Sequence, residues 1–139
     1  MKILVDTNII MDSIIGRQPF FDMSDKVIKI CADENIDVKG YLSAHSVTNL
    51  FYLLRKYFSN EDTREILIDL FTIFDILQVD SKKIKSAILN RNFKDFEDCL
   101  QVECAKDVNA DFVITRNLKD FSSSTIPCIL PSDFCKLFD

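Results

Sequence analysis

The sequence predicts an α/β fold built on a parallel sheet, and three observations predict it. Short β-rich runs alternate with segments of helical periodicity along the chain. Glycine (2) and proline (3) are scarce among 139 residues, which disfavours all-β folds made of many tight turns. Hydrophobic residues make up 47%, with 12 Phe among them. A chain of this length buries ~68% of its unfolded surface, so one folded domain over 1–139 is expected and disorder is excluded.

The elements follow in order. Lys2-Ile3-Leu4-Val5 is a β-rich run that ends in Asp6. Thr7 and Asn8 are capping types, and Ile9, Ile10, Met11, Ile14 and Ile15 predict a first helix that stops at Gly16 and Pro19. A second helix begins at Asp22 or Ser24, with Val27, Ile28, Ile30 and Cys31 on one side. Residues 37–42 read as the second strand. Ser43 or Ser46 then caps a helix whose Val47, Leu50, Phe51, Leu54 and Phe58 keep one helical face. Glu61-Asp62 opens another, with Ile66, Leu67, Leu70, Phe71 and Phe74 as its apolar stripe. Residues 76–79 are a third strand, and Ser81 starts a helix through Leu89. Asp95 opens a helix carrying Phe96, Leu100, Cys104 and Val108. Residues 111–115 and 128–130 are the last strands, and Pro131 leads a closing helix.

Alternation of this kind implies parallel pairing with right-handed crossovers. Such sheets carry ligands outside the carboxyl ends of their strands. The positions to inspect are therefore Asp6 with Asn8, Ser43 to Asn49, Asp80, and Thr115 to Asp120.

Composition narrows the chemistry. Lys+Arg 17 against Asp+Glu 22 gives a net charge of −5, unlike a protein whose whole surface binds duplex DNA. His45 is the only histidine, so two-histidine acid–base catalysis is excluded, and no nucleophile-elbow motif accompanies it. The five cysteines are scattered with no C-x-x-C, which reads as free core thiols in a reducing compartment rather than a zinc site. Only three apolar residues separate Lys2 from Asp6, too few for a signal-peptide core. The longest uncharged run, Gly40 to Leu54, is polar and shorter than a membrane span. The expectation is a cytoplasmic protein with no membrane partner.

The remaining signal is carboxylate. Asp6 ends the first strand, Asp95 and Asp98 sit one turn apart at a helix start, and Asp120 follows the fourth strand. Taken singly, each has a structural explanation as a helix cap, a dipole partner or a turn residue. Together they present acids from three distant segments at one sheet edge. Acids sharing a cleft repel and raise one another's pKa, so a cation must offset them. With almost no His and no paired Cys the ligands are hard oxygens, which suit Mg²⁺ or Mn²⁺. The chemistry this permits is metal-assisted hydrolysis of a phosphodiester.

These segments also carry a resemblance. Ile3-Leu4-Val5-Asp6-Thr7-Asn8 resembles the opening of PIN-domain ribonucleases. Asp95-Phe96-Glu97-Asp98-Cys99-Leu100-Gln101 is similar to their central acidic helix, and Asp111 to Asn117, running on to Asp120-Phe121, to their late strand and acidic loop. Pro131-Ser132-Asp133-Phe134 resembles the closing helix. Small members are often toxins of VapBC-type toxin–antitoxin pairs. The resemblance implies an α/β/α sandwich with a central, mainly parallel five-stranded sheet, Mg²⁺ or Mn²⁺ dependence and cleavage of single-stranded RNA. It also implies homodimers and a small antitoxin protein. Carried over by position, Asp6 and Asp98 are the main metal acids and Asp95 an accessory one. Asp120 or Asn117 stands where a fourth acid sits, and Asn8 and Thr115 line the pocket. One position departs from the pattern: Asn49 stands where a Glu is usual, and an amide brings no negative charge. Asp95 is the expected compensation.

Between Ser81 and Lys94 lie Lys82, Lys83, Lys85, Arg91 and Lys94 with no acid. With Arg116, they form a candidate RNA-backbone strip, and a solvated helix face is the competing reading. Arg55 and Lys56 are candidates for an antitoxin contact. Two other functions compete. One is a receiver-type signalling module using Asp6 and Asp80, though Thr7-Asn8 replaces its adjacent acids. The other is a PIN-like binding module without catalysis.

Overall fold

A computed structural model describes residues 1–139. Five parallel strands form one sheet in the order β3-β2-β1-β4-β5. They are β1 (Lys2–Val5), β2 (Lys39–Ser43), β3 (Phe74–Leu77), β4 (Phe112–Ile114) and β5 (Cys128–Ile129). The helices are α1 (Thr7–Ile15), α2 (Phe21–Ala32), α3 (Ala44–Leu54), α4 (Asn60–Phe71), α5 (Ser81–Leu89), α6 (Phe96–Asp107) and α7 (Pro131–Lys136), with a 3₁₀ turn at Leu118–Phe121. This is the α/β/α sandwich expected.

The inner strands β1, β2 and β4 are largely buried on both faces, as a parallel sheet covered by helices requires. Alternation along β1 sends Ile3 and Val5 into one core, with Ile9, Leu50 and Phe134. It sends Leu4 into the other, with Leu100, Val102 and Val113. The first core is roofed by α1–α4 and α7, the second by α5 and α6. Gly40 is required by close packing: a Cβ there would stand 2.7 Å from the Phe74 ring. Gly16 closes α1 at φ 67°, and its N–H donates to the Asp12 carbonyl.

Of the two caps expected for α3, Ser43 is the one used: its Oγ accepts from the Ser46 N–H. Helix starts shift at α2, which Phe20 precedes, and at α4, which Ser59 caps. Asp80 Oδ1 caps α5 by accepting from the Lys83 N–H. The third strand differs. It runs over Phe74–Leu77, so Phe74 begins a strand instead of ending the stripe of α4. The helix stops at Thr72, whose hydroxyl donates to the Asp69 carbonyl, and the chain reverses before Phe74. Phe74 is 1% exposed and packs onto Gly40 of the neighbouring strand. No helix is long and apolar enough to cross a membrane.

Candidate active site

The middle strands end under a cleft of about 230 Å³. Five carboxylates line it (Asp6, Asp95, Glu97, Asp98 and Asp120) and no Lys or Arg does. Asn8, Asn49, Asn117, His45 and Gln101 complete most of the wall. The parallel topology explains the convergence: β1 delivers Asp6, the loop after β4 delivers Asn117 and Asp120, and α6 brings its N-terminus over the same edge.

Asp6 is the anchored member, 6% exposed. The Thr115 hydroxyl donates to its Oδ2 at 2.9 Å, and the Gln101 amide donates to its Oδ1 at 3.3 Å. Burial raises its pKa, and the bonds from Thr115, the Thr7 backbone and Gln101 oppose the rise. Asp98 has no such clamp. Burial first, then the charges of Asp95, Asp6, Asp120 and Glu97, push its pKa up to about 7. Four acids thus act on one carboxyl group, the signature of a site in want of a cation.

Asp95 divides its carboxylate. Its Oδ1 caps α6 by accepting from the N–H groups of Glu97 at 2.8 Å and Asp98 at 3.2 Å. Asn49 sits on α3 facing α6. Its amide donates to Glu97 Oε2 at 3.4 Å and contacts His45 Nε2 at 3.2 Å, and His45 lies 3.2 Å from Glu97 Oε1. The carboxylate beside Asn49 is therefore that of Glu97.

No three of the His, Cys, Asp and Glu side chains stand close enough to enclose an ion by themselves. Mg²⁺ or Mn²⁺ is held by one or two carboxylates, with waters and phosphate oxygens filling the remaining positions. Predominantly carboxylate and amide oxygens and an excess of negative charge fit such an ion.

Thr115 is fully buried and acts on Asp6 instead of lining the cleft. Two residues of the proposed basic strip lie elsewhere. The Lys83 ammonium is buried between the Asp107 carboxylate and the Gln78 carbonyl, the latter at 2.6 Å. α5 turns that side chain inward against α6, so it is a structural lysine. Arg116 is held by Asp12, which is fully buried, through Nε at 2.8 Å and Nη2 at 3.2 Å. Lys82, Lys85, Arg91 and Lys94 are exposed. Asp80 caps α5 beyond the edge strand β3 and does not line the cleft, which removes the phosphoacceptor of the signalling alternative.

Sequence reasoning gave no site role to Gln101 or Glu97, both of which line the cleft. Gln101 is 4% exposed, and its amide also donates to Ser46 Oγ at 3.0 Å. Ser46 in turn bonds Thr7 and Ser43. This network ties β1, α3 and α6 together beneath the carboxylates. The available signal was a Gln among the mostly apolar residues Cys99 to Ala105, where Glu103 is the one other polar side chain.

The profile of a family described as PIN domain matches residues 2–119. A curated relative, Ribonuclease VapC1 of Aquifex aeolicus, is 28% identical over 97% of this chain and 94% of its own. Among solved structures, the toxin–antitoxin complex from Klebsiella pneumoniae aligns with a TM-score of 0.67 at 23% identity, covering 92% of this chain and 96% of that one. VapC20 of Mycobacterium tuberculosis, described as a sarcin-ricin loop cleaving toxin, aligns with a TM-score of 0.68 at 13% identity, covering 89% and 95%.

Proposed function

The chain belongs to the PIN domain family, and from that premise we propose that it is a divalent-metal-dependent endoribonuclease acting on single-stranded RNA. One observation carries the reading: five carboxylates share a cleft that contains no Lys or Arg. Phosphodiester RNA is repelled by such a cleft until a cation occupies it.

Asp6 and Asp98 would hold Mg²⁺ or Mn²⁺, with Asp120 and the free oxygen of Asp95 adding negative charge. When bound, such an ion polarises a phosphoryl oxygen and makes water a better nucleophile. The chain's own contribution is placement. Thr115 and Gln101 fix the Asp6 carboxylate, so it does not have to reorganise during the reaction. The α6 N-terminus, capped by Asp95, sets Asp98 one turn along the same helix. The exposed cations Lys82, Lys85, Arg91 and Lys94 run up to Asp95 and would hold the RNA backbone.

The biological role proposed is the toxin of a toxin–antitoxin pair, as a homodimer bound by a small antitoxin protein. The named relative is a VapC ribonuclease, and a complex of this kind shares the fold. Tyr52, Arg55 and Lys56 line an exposed hollow on α3 suited to a partner's acidic tail. Asn49, tied to Glu97 and His45, favours a second reading in which the cleft binds RNA without cutting it. One assay separates the two. Purified protein with Mn²⁺ should cleave single-stranded RNA, and Asp98→Asn should not. No cleavage by the wild type with any divalent ion would reject the nuclease.

A further inference from the structure

A second cavity of about 230 Å³ opens beside the acidic cleft, lined by Pro19, Phe20, Met23, Ser24, Arg116 and the segment 130–132. Its position follows from the topology. The cleft sits over the end of β1, and Leu130-Pro131 follows β5, two strands away. At 4.7–4.9 Å per strand, β1 and β5 are about 10 Å apart along that sheet edge. Arg116 lies between them. It directly follows Thr115, the partner of Asp6, and its charge acts on the Asp6 carboxylate.

The cavity's chemistry complements that of the cleft. The cleft offers charge and amides, and its only ring, His45, is engaged with Glu97. The cavity is mainly apolar and has a flat wall. The Arg116 guanidinium lies 4.1 Å from the Phe20 ring centroid, locked there by Asp12. Phe20 is 37% exposed and Met23 38%, large apolar groups left facing water. Ser24 lines the same cavity and is 1% exposed, and its buried Oγ has no hydrogen-bond partner. A buried hydroxyl in that state keeps its hydrogen-bonding capacity for a further partner. The size is below the ~300–1,000 Å³ of pockets for drug-sized ligands, so it suits a single planar ring system.

We propose that this cavity is a nucleobase subsite, taking one base flanking the scissile phosphate onto the exposed surface of the stacked Phe20–Arg116 pair, with Ser24 bonding the base edge. It rests on the ribonuclease reading. Single-stranded RNA is recognised this way, by bases splayed onto aromatic rings and guanidinium planes. A strand crossing the sheet edge with its phosphate in the acidic cleft passes this cavity next.

Two measurements test it. RNA carrying a photoreactive base is crosslinked to the full-length protein and the adducts are mapped. Cleavage products of a randomised RNA pool in Mn²⁺ are sequenced for the wild type, Phe20→Ala, Phe20→Tyr and Ser24→Ala. The expected adducts fall on residues 19–24 or 130–132. Phe20→Ala should lose about tenfold in cleavage and its base preference at one position beside the cut. Phe20→Tyr should keep both, Ser24→Ala should blur the preference without loss of thermal stability, and Mn²⁺ affinity should not change. Cleavage with wild-type preference in Phe20→Ala and adducts elsewhere would overturn the subsite; a protein segment in the cavity gives that same pattern. Adducts at the cavity without cleavage by the wild type would uphold base binding and reject the nuclease reading alone.

Discussion

Gln101 Nε2 donates to Asp6 Oδ1 at 3.3 Å across 95 residues of sequence. That bond, with the Thr115 hydroxyl on the opposite oxygen, fixes the one fully enclosed acid of the cleft. Groups that orient a metal ligand typically change metal affinity 10–100-fold when lost. Gln101→Leu should therefore weaken Mn²⁺ binding about tenfold or more while the far-ultraviolet spectrum stays native. Titration of Mn²⁺ by electron paramagnetic resonance checks it; unchanged affinity would mean that Thr115 suffices.

Asp98 carries a pH signature. Its folded pKa is raised to about 7 from the ordinary 3.8, so the native state binds the extra proton. The sign follows: this contribution to stability is present below about pH 4 and is lost as pH rises through 7. With divalent ions removed, the wild type should melt at progressively lower temperature from pH 5 to 8, and Asp98→Asn should flatten the trend. Added Mn²⁺ should offset the loss at the alkaline end. Melting curves with and without chelator measure both effects.

The basic strip divides at Lys83. Lys82→Glu with Lys85→Glu should weaken RNA binding in a salt-dependent way and leave stability within ~0.5 kcal/mol, since both are exposed. Lys83→Glu should instead cost ~3 kcal/mol or more by burying a carboxylate against Asp107. Binding isotherms at two salt concentrations, set beside urea unfolding, separate the two roles.

Arg116 holds Asp12, a fully buried residue of α1. Arg17 also reaches Asp12 at 3.0 Å but is more exposed. Arg116→Ala should destabilise the fold by about 3 kcal/mol, because a buried carboxylate loses its principal partner. Urea unfolding gives the value; a loss under ~1 kcal/mol would show that Arg17 is enough.

The sequence carried the sheet, its order of elements and the meeting of Asp6 with Asp98, because strand ends in a parallel sheet share an edge whatever their separation in the chain. Other features depend on packing that no linear pattern records. Phe74 continues the spacing of Leu70 and Phe71, yet Thr72 ends the helix and the ring closes over Gly40. Lys83 looks like one charge among five until α5 docks on α6 and turns it inward. The environment of Asn49 was hidden for the same reason: only the facing helices bring Glu97 to its amide. Asp95, expected to compensate there, commits one oxygen to capping α6.

The most direct test of the shared cation site is Mn²⁺ titration of the wild type, Asp6→Asn and Asp98→Asn by calorimetry, with RNA absent. The account predicts a saturable site in the wild type and a loss of at least tenfold in each variant, with both still folded. Equal Mn²⁺ affinity in all three proteins would contradict it.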